Sequence, residues 1–185
     1  MNWLERQLLA RPDQTAVHFA SGGSWTWKEL GERVSRMAAA LQSAGVKADS
    51  RVATLLGNTP FHVAIIHALS WVGATLVPVN TRLTDSEISW MLSDVEIDLL
   101  VVDHESLGRE LALGATRFVQ VEELTRSFAI EPRPFRRETL ATILYTSGTT
   151  GLPKPVPLSW ENHAASAMAS AVNLGMHRDD NWLAS

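Results

Sequence analysis

Tyr145-Thr146-Ser147-Gly148-Thr149-Thr150-Gly151-Leu152-Pro153-Lys154 gathers short hydroxyl side chains, two glycines and one lysine into a single stretch. Gly148 and Gly151 let backbone N–H groups turn inward with no Cβ in the way, and Thr146, Ser147, Thr149 and Thr150 add compact hydroxyl donors. Lys154 supplies a cation at the end. A loop of this composition is suited to holding phosphate. Leu140 to Leu144 forms a short apolar strand leading into it, and Ser159 opens a helix of roughly 15 residues beyond it. A mobile Ser/Thr/Gly linker would need neither the buried strand nor the terminal lysine.

The loop is not that of an ordinary P-loop NTPase. That loop requires G-x-x-x-x-G-K-[ST], whereas here Lys154 lies three residues beyond Gly151 and is followed by Pro155, so the metal-binding hydroxyl is missing. The residues Tyr145 to Lys154, YTSGTTGLPK, resemble instead the signature of the adenylate-forming superfamily of acyl-CoA synthetases, adenylation domains and luciferases. The resemblance implies a loop wrapping the β- and γ-phosphates of ATP while a carboxylate attacks the α-phosphate, giving an acyl-adenylate and pyrophosphate. It implies Thr146, Ser147, Gly148, Thr149, Thr150, Gly151 and Lys154 as phosphate contacts, with Lys154 stabilising charge. One departure is Pro155, where the family usually has glycine. A proline there distorts the loop if positive φ or an N–H is needed, and is harmless if the segment is extended.

Working outward, strand and helix alternate. Trp3 to Leu9 reads as a helix, Thr15 to Ala20 and Ser24 to Thr26 as a hairpin turning at Ser21-Gly22-Gly23, and Thr26 with Glu29 as a capping box for a helix to about Ala44. Arg51–Leu56 is a strand, Pro60–Val72 an apolar helix and Ala74–Val79 a strand. Thr84 with Glu87 caps a helix to about Ser93, and strands follow at Asp98–Val102 and Arg117–Val121. The pattern predicts an α/β fold, a mostly parallel sheet with helices on both faces. Phe128–Arg137, rich in proline and charge, reads as a surface connection into the loop strand.

Across residues 1–185 the chain resembles an incomplete, N-terminal part of the adenylate-forming fold, with Thr26-Trp27-Lys28-Glu29-Leu30 and Gly73 to Asn80 as further landmarks. Within the superfamily it is most similar to the o-succinylbenzoate-CoA ligases of menaquinone biosynthesis, in Asn2-Trp3-Leu4, Asn173-Leu174-Gly175 and Asp180-Asn181-Trp182-Leu183. Other acyl- or aryl-CoA ligases remain alternatives, as does a non-catalytic nucleotide-binding or interaction module. The resemblance implies ATP, Mg2+ and coenzyme A as the complete enzyme's ligands and a small carboxylic acid as its substrate. The family's acid pocket and later catalytic motifs have no counterpart in this stretch, so these residues alone are expected to be inactive. Sheet edges and helix faces left uncovered would favour self-association.

Composition agrees with a small-molecule ligand. The 185 residues are 45% hydrophobic, enough for one respectable core, and carry a net charge of -4 without a basic block, which argues against nucleic acid. Cysteine is absent, excluding disulfides and thiolate metal sites. No apolar run reaches the roughly 18 residues of a membrane span, and Glu5 interrupts what would open a signal peptide, so a cytoplasmic location is expected. His62 and His67, five apart, read as packing or surface residues rather than a metal pair, while His18 and His104 read as strand and turn positions. His163, after Asn162 at the start of the last helix, is a possible ligand contact, although a solvated side chain is the plainer expectation there. Trp160 reads as core, and Glu122-Glu123 as the start of a short surface helix.

Overall fold

Eight short strands and five helices alternate along the chain in a computed structural model that describes residues 2–112, 116–125, 130–147, 153–177 and 180–181. Helix α1 (Trp3–Ala10) starts at a reciprocal cap, in which Asn2 accepts the Glu5 N–H and Glu5 accepts the Asn2 N–H. Strands β1 (Thr15–His18) and β2 (Ser24–Thr26) form a separate antiparallel pair. Gly22 and Gly23, at φ 90° and 99°, make the turn that a side chain would strain. β1 is two residues shorter than expected, because Phe19 already belongs to that turn, where its N–H donates to the Gly23 carbonyl.

Helix α2 (Trp27–Ser43) has the capping box expected from Thr26 and Glu29. The remaining elements are β3 (Arg51–Leu55), α3 (Pro60–Val72), β4 (Thr75–Pro78), α4 (Asp85–Asp94), β5 (Leu99–Val102), β6 (Arg117–Gln120), β7 (Leu140–Thr146), β8 (Lys154–Ser159) and α5 (Trp160–Leu174). The second capping box, Thr84 with Glu87, opens α4, and α3 ends at Gly73 in the left-handed region at φ 82°. Single turns of 3-10 helix follow β5 at His104–Ser106 and β6 at Glu123–Thr125.

The main sheet has six strands in the order β6-β5-β3-β4-β7-β8. All neighbours run parallel except β8, which returns antiparallel to β7. β3, β4 and β5 are almost continuously apolar because both faces are covered. Alternate residues feed two cores. Val52, Leu76, Leu99 and Val101 join the side chains of α2 and α3, including Leu30, Met37, Ile65 and Leu69. Ala53, Val77, Leu100 and Ile143 pack against Ile88 and Leu92 of α4 on the opposite face. Residues 130–136 cross the surface as expected, tied down by the Ser35 hydroxyl, which donates to the Ile130 carbonyl at 2.6 Å.

Burial pushes the His67 imidazole of α3 down to about 4, which suits a neutral packing residue, one of the two roles its spacing from His62 suggested. Among the described residues no helix is long and apolar enough to cross a membrane.

Candidate phosphate-loop site

Because β3, β4, β5 and β7 are parallel, their carboxyl ends share one rim of the sheet, the place where open α/β sheets bind ligands. The hydroxyl-rich loop leaves β7 at this rim. Its mouth is closed by a β pair, with Thr146 of β7 opposite Lys154 of β8. Cross-strand partners project to the same face, so the first hydroxyl and the lysine lie side by side. Thr146, Ser147 and Lys154 are all exposed and free to meet a ligand. Gly148, Thr149, Thr150 and Gly151 lie outside the described residues.

The open question about Pro155 is answered by β8. Pro155 and Pro157 stand opposite Tyr145 and Ile143 in an extended strand at the edge of the sheet. Being two apart, both turn their missing N–H to the same side, and the side away from β7 is the one where no ladder bond is lost. Proline here leaves the hairpin intact and blunts the outer edge against further pairing.

The hairpin is held from both faces. On the α4 face, the Tyr145 hydroxyl donates to Asp94 Oδ2 at 2.7 Å, lies 3.2 Å from the Met91 carbonyl, and its ring meets Trp90 edge-on at 6.0 Å. Burial first, and then the bond to Asp94 and that carboxylate's charge, push the Tyr145 phenol well above its usual value. Tyr145 is the only tyrosine in the chain, so its ionisation can be followed directly by ultraviolet phenolate absorbance. The expected midpoint lies above the ordinary value of about 10 and falls in Asp94→Asn. A midpoint at or below that value would remove this anchor.

On the opposite face, His163 is half-buried rather than solvated. Its Nε2 lies 2.9 Å from Thr142 Oγ1, which places the ring on the strand that feeds the loop. Along an extended strand Thr142 is about 13 Å from Thr146, so His163 sits beneath the loop rather than at its mouth. Trp160 is buried, as expected, between Trp3 and Phe135 at 5.5 and 5.7 Å. Ser159 caps α5 reciprocally with Asn162.

Farther along the rim is a group that no motif had marked. The Gly57 N–H donates to Asp103 Oδ2 at 2.6 Å, closing the crevice between β3 and β5, and His62 Nε2 lies 3.4 Å from Thr54 Oγ1. Partial burial opposes ionisation of Asp103, but N–H donors from Gly57 and Ser106 outweigh it and hold the carboxyl below its usual range. Burial lowers His62, against the charge of Asp103. Asp103 also caps the turn containing His104 through the Ser106 N–H. This part of the rim is occupied by its own hydrogen bonds, which leaves the β7–β8 loop as the candidate site. Among the described residues no cluster of three or more His, Asp or Glu side chains could hold a metal ion.

Known proteins give the arrangement its family. A 2-succinylbenzoate–CoA ligase of Bacillus cereus (strain Q1) is 39% identical over 183 residues, which is 99% of this chain and 37% of the relative. The chain therefore spans little more than a third of the length of such curated relatives. O-succinylbenzoate coenzyme A synthetase of Bacillus subtilis, solved in complex with ATP and magnesium ion, superposes with a TM-score of 0.89 at 31% identity, over 97% of this chain and 48% of that one. The same Bacillus subtilis synthetase in complex with the acyl-adenylate intermediate OSB-AMP gives a TM-score of 0.89 at 32% identity, over 97% and 47% of the two chains. The family described as AMP-binding enzyme matches residues 4–185, and the chain belongs to it.

Proposed function

We propose that residues 1–185 form the phosphate-gripping N-terminal subdomain of an ATP-dependent acid–CoA ligase whose acid is o-succinylbenzoate. One observation carries the reading: the YTSGTTGLPK loop leaves the carboxyl end of a parallel strand in a sheet that superposes on a synthetase solved with ATP and with OSB-AMP. A cytoplasmic location and a role in menaquinone biosynthesis go with that reading.

In the reaction a carboxylate oxygen bonds to the α-phosphorus as the bond from that phosphorus to the β-bridging oxygen breaks. Pyrophosphate leaves with the electron pair. Charge therefore grows on the phosphates that the loop faces. Lys154 places a cation there, Thr146 and Ser147 offer hydroxyl donors at the mouth, and Gly148, Thr149, Thr150 and Gly151 are the remaining phosphate contacts of this reading. A thiol then displaces AMP to give the thioester. Magnesium bound with the nucleotide would neutralise charge on its phosphates. Holding phosphate is one part of catalysis. Positioning the acid is a second part, worth up to roughly 7 to 11 kcal/mol, and belongs to residues outside this stretch.

The test is ATP–pyrophosphate exchange by the protein at the length its gene encodes, with o-succinylbenzoate, benzoates and fatty acids as candidate acids. Exchange that depends on o-succinylbenzoate is expected. Exchange with another acid would move the assignment to a different acyl- or aryl-CoA ligase, and nucleotide binding without any exchange would make this a binding module.

A further inference from the structure

We infer that His163 is a positioning residue for the phosphate loop and acts through Thr142; this rests on the ligase reading above. The β7–β8 hairpin is registered to the rest of the sheet at Leu76↔Thr142, between β4 and β7. Its own ladder is irregular between Leu140 and Thr142. Thr142 thus sits where the loop strand is registered to the sheet, and the His163 ring is hydrogen-bonded to its hydroxyl.

That ring comes from a fixed base. It leans on Trp160 at 6.2 Å, and Trp160 is wedged against Trp3 and Phe135. The first turn of α5 is further tied by its backbone, with Trp160 N–H donating to the Thr139 carbonyl at 3.2 Å and Glu161 N–H to the Arg137 carbonyl at 2.9 Å. From Thr142 a column of paired residues runs up one face: Thr142 with Leu158, Leu144 with Val156, then Thr146 with Lys154. Over the roughly 13 Å from Thr142 to Thr146, a tilt of about 5° displaces the hydroxyl and the lysine by about 1 Å. Such a displacement can cost on the order of a hundredfold in rate.

The experiment compares His163→Ala, Thr142→Val and the double variant with the parent, all at the gene-encoded length. Pyrophosphate exchange gives KM for ATP and kcat, and amide hydrogen exchange follows residues 144–147 together with Lys154 and Val156. Each single variant is expected to lower kcat/KM for ATP by about tenfold or more and to speed amide exchange in the hairpin while α2 and α3 keep their protection. The double variant should be little worse than either single, and His163→Gln, which can still reach the hydroxyl, should recover most of the loss. Multiplicative effects, wild-type hairpin exchange and kinetics in the single variants, or a uniform loss of protection throughout the chain would each overturn the inference. Should the parent show no pyrophosphate exchange, the ligase reading fails, while coupling between positions 142 and 163 in the amide data still decides this inference.

Discussion

Lys154→Ala is expected to lower kcat/KM for adenylation by about 10²- to 10³-fold, or roughly 2.7 to 4 kcal/mol of transition-state stabilisation, the usual cost of removing one preorganised group from developing charge. The geometry gives the reason. Lys154 is the first residue of β8, paired with Thr146 across the mouth of the loop, so its backbone is fixed by a ladder while its side chain is exposed. The ladder spares the backbone any ordering when phosphate binds, leaving only the side chain's rotamer freedom to be given up, and the cation's attraction grows as pyrophosphate departs. Lys154→Arg should restore part of the rate, because charge is kept while the reach and shape of the head group change. Steady-state pyrophosphate exchange decides the matter. A Lys154→Ala protein within about twofold of the parent, under roughly 0.5 kcal/mol, would remove the lysine from the chemistry.

Leu100→Ala is expected to destabilise the fold by about 2 to 5 kcal/mol, read as a lower midpoint in chemical denaturation. Leu100 lies in β5, which is flanked by β3 and β6, and no part of it is exposed. Its side chain belongs to the core beneath α4, together with Val77, Ile88 and Ile143. Removing it opens a hole that a sheet fixed on both sides cannot close by collapsing, which places the cost toward the upper part of the range. Ile143 in the same core belongs to β7, so the loss should also loosen the loop strand. A change below about 1 kcal/mol would mean that this face of the sheet is packed less tightly than described.

Much of the layout was legible because it is written locally. The continuous apolar runs of β3, β4 and β5 announce a sheet buried on both faces, and the Thr26/Glu29 and Thr84/Glu87 boxes mark helix starts that the structure reproduces. The cap at Asn2 with Glu5 escaped because asparagine stands where the pattern reads serine or threonine, and the box at Ser159 because asparagine replaces glutamate at its far end. What spacing could not reveal was contact over long separations. Thr142 meets His163 across 21 positions, and Tyr145 meets Asp94 across 51. Neither pair has a periodicity, and only the order β4-β7-β8 with α4 and α5 on opposite faces brings them together. Pro155 shows the same limit. Its φ was fixed by chemistry, but whether that φ was wanted depended on its place in an edge strand.

Transfer of oxygen from the acid to the nucleotide reports which phosphorus the carboxylate attacks. With o-succinylbenzoate labelled with oxygen-18 in its carboxylates, attack at the α-phosphorus leaves a carboxylate oxygen on AMP once the thioester forms. Labelled AMP and unlabelled pyrophosphate are expected. Unlabelled AMP, or ADP with labelled inorganic phosphate, would contradict attack at the α-phosphorus, because the acid would then have been activated at a different phosphorus or not at all.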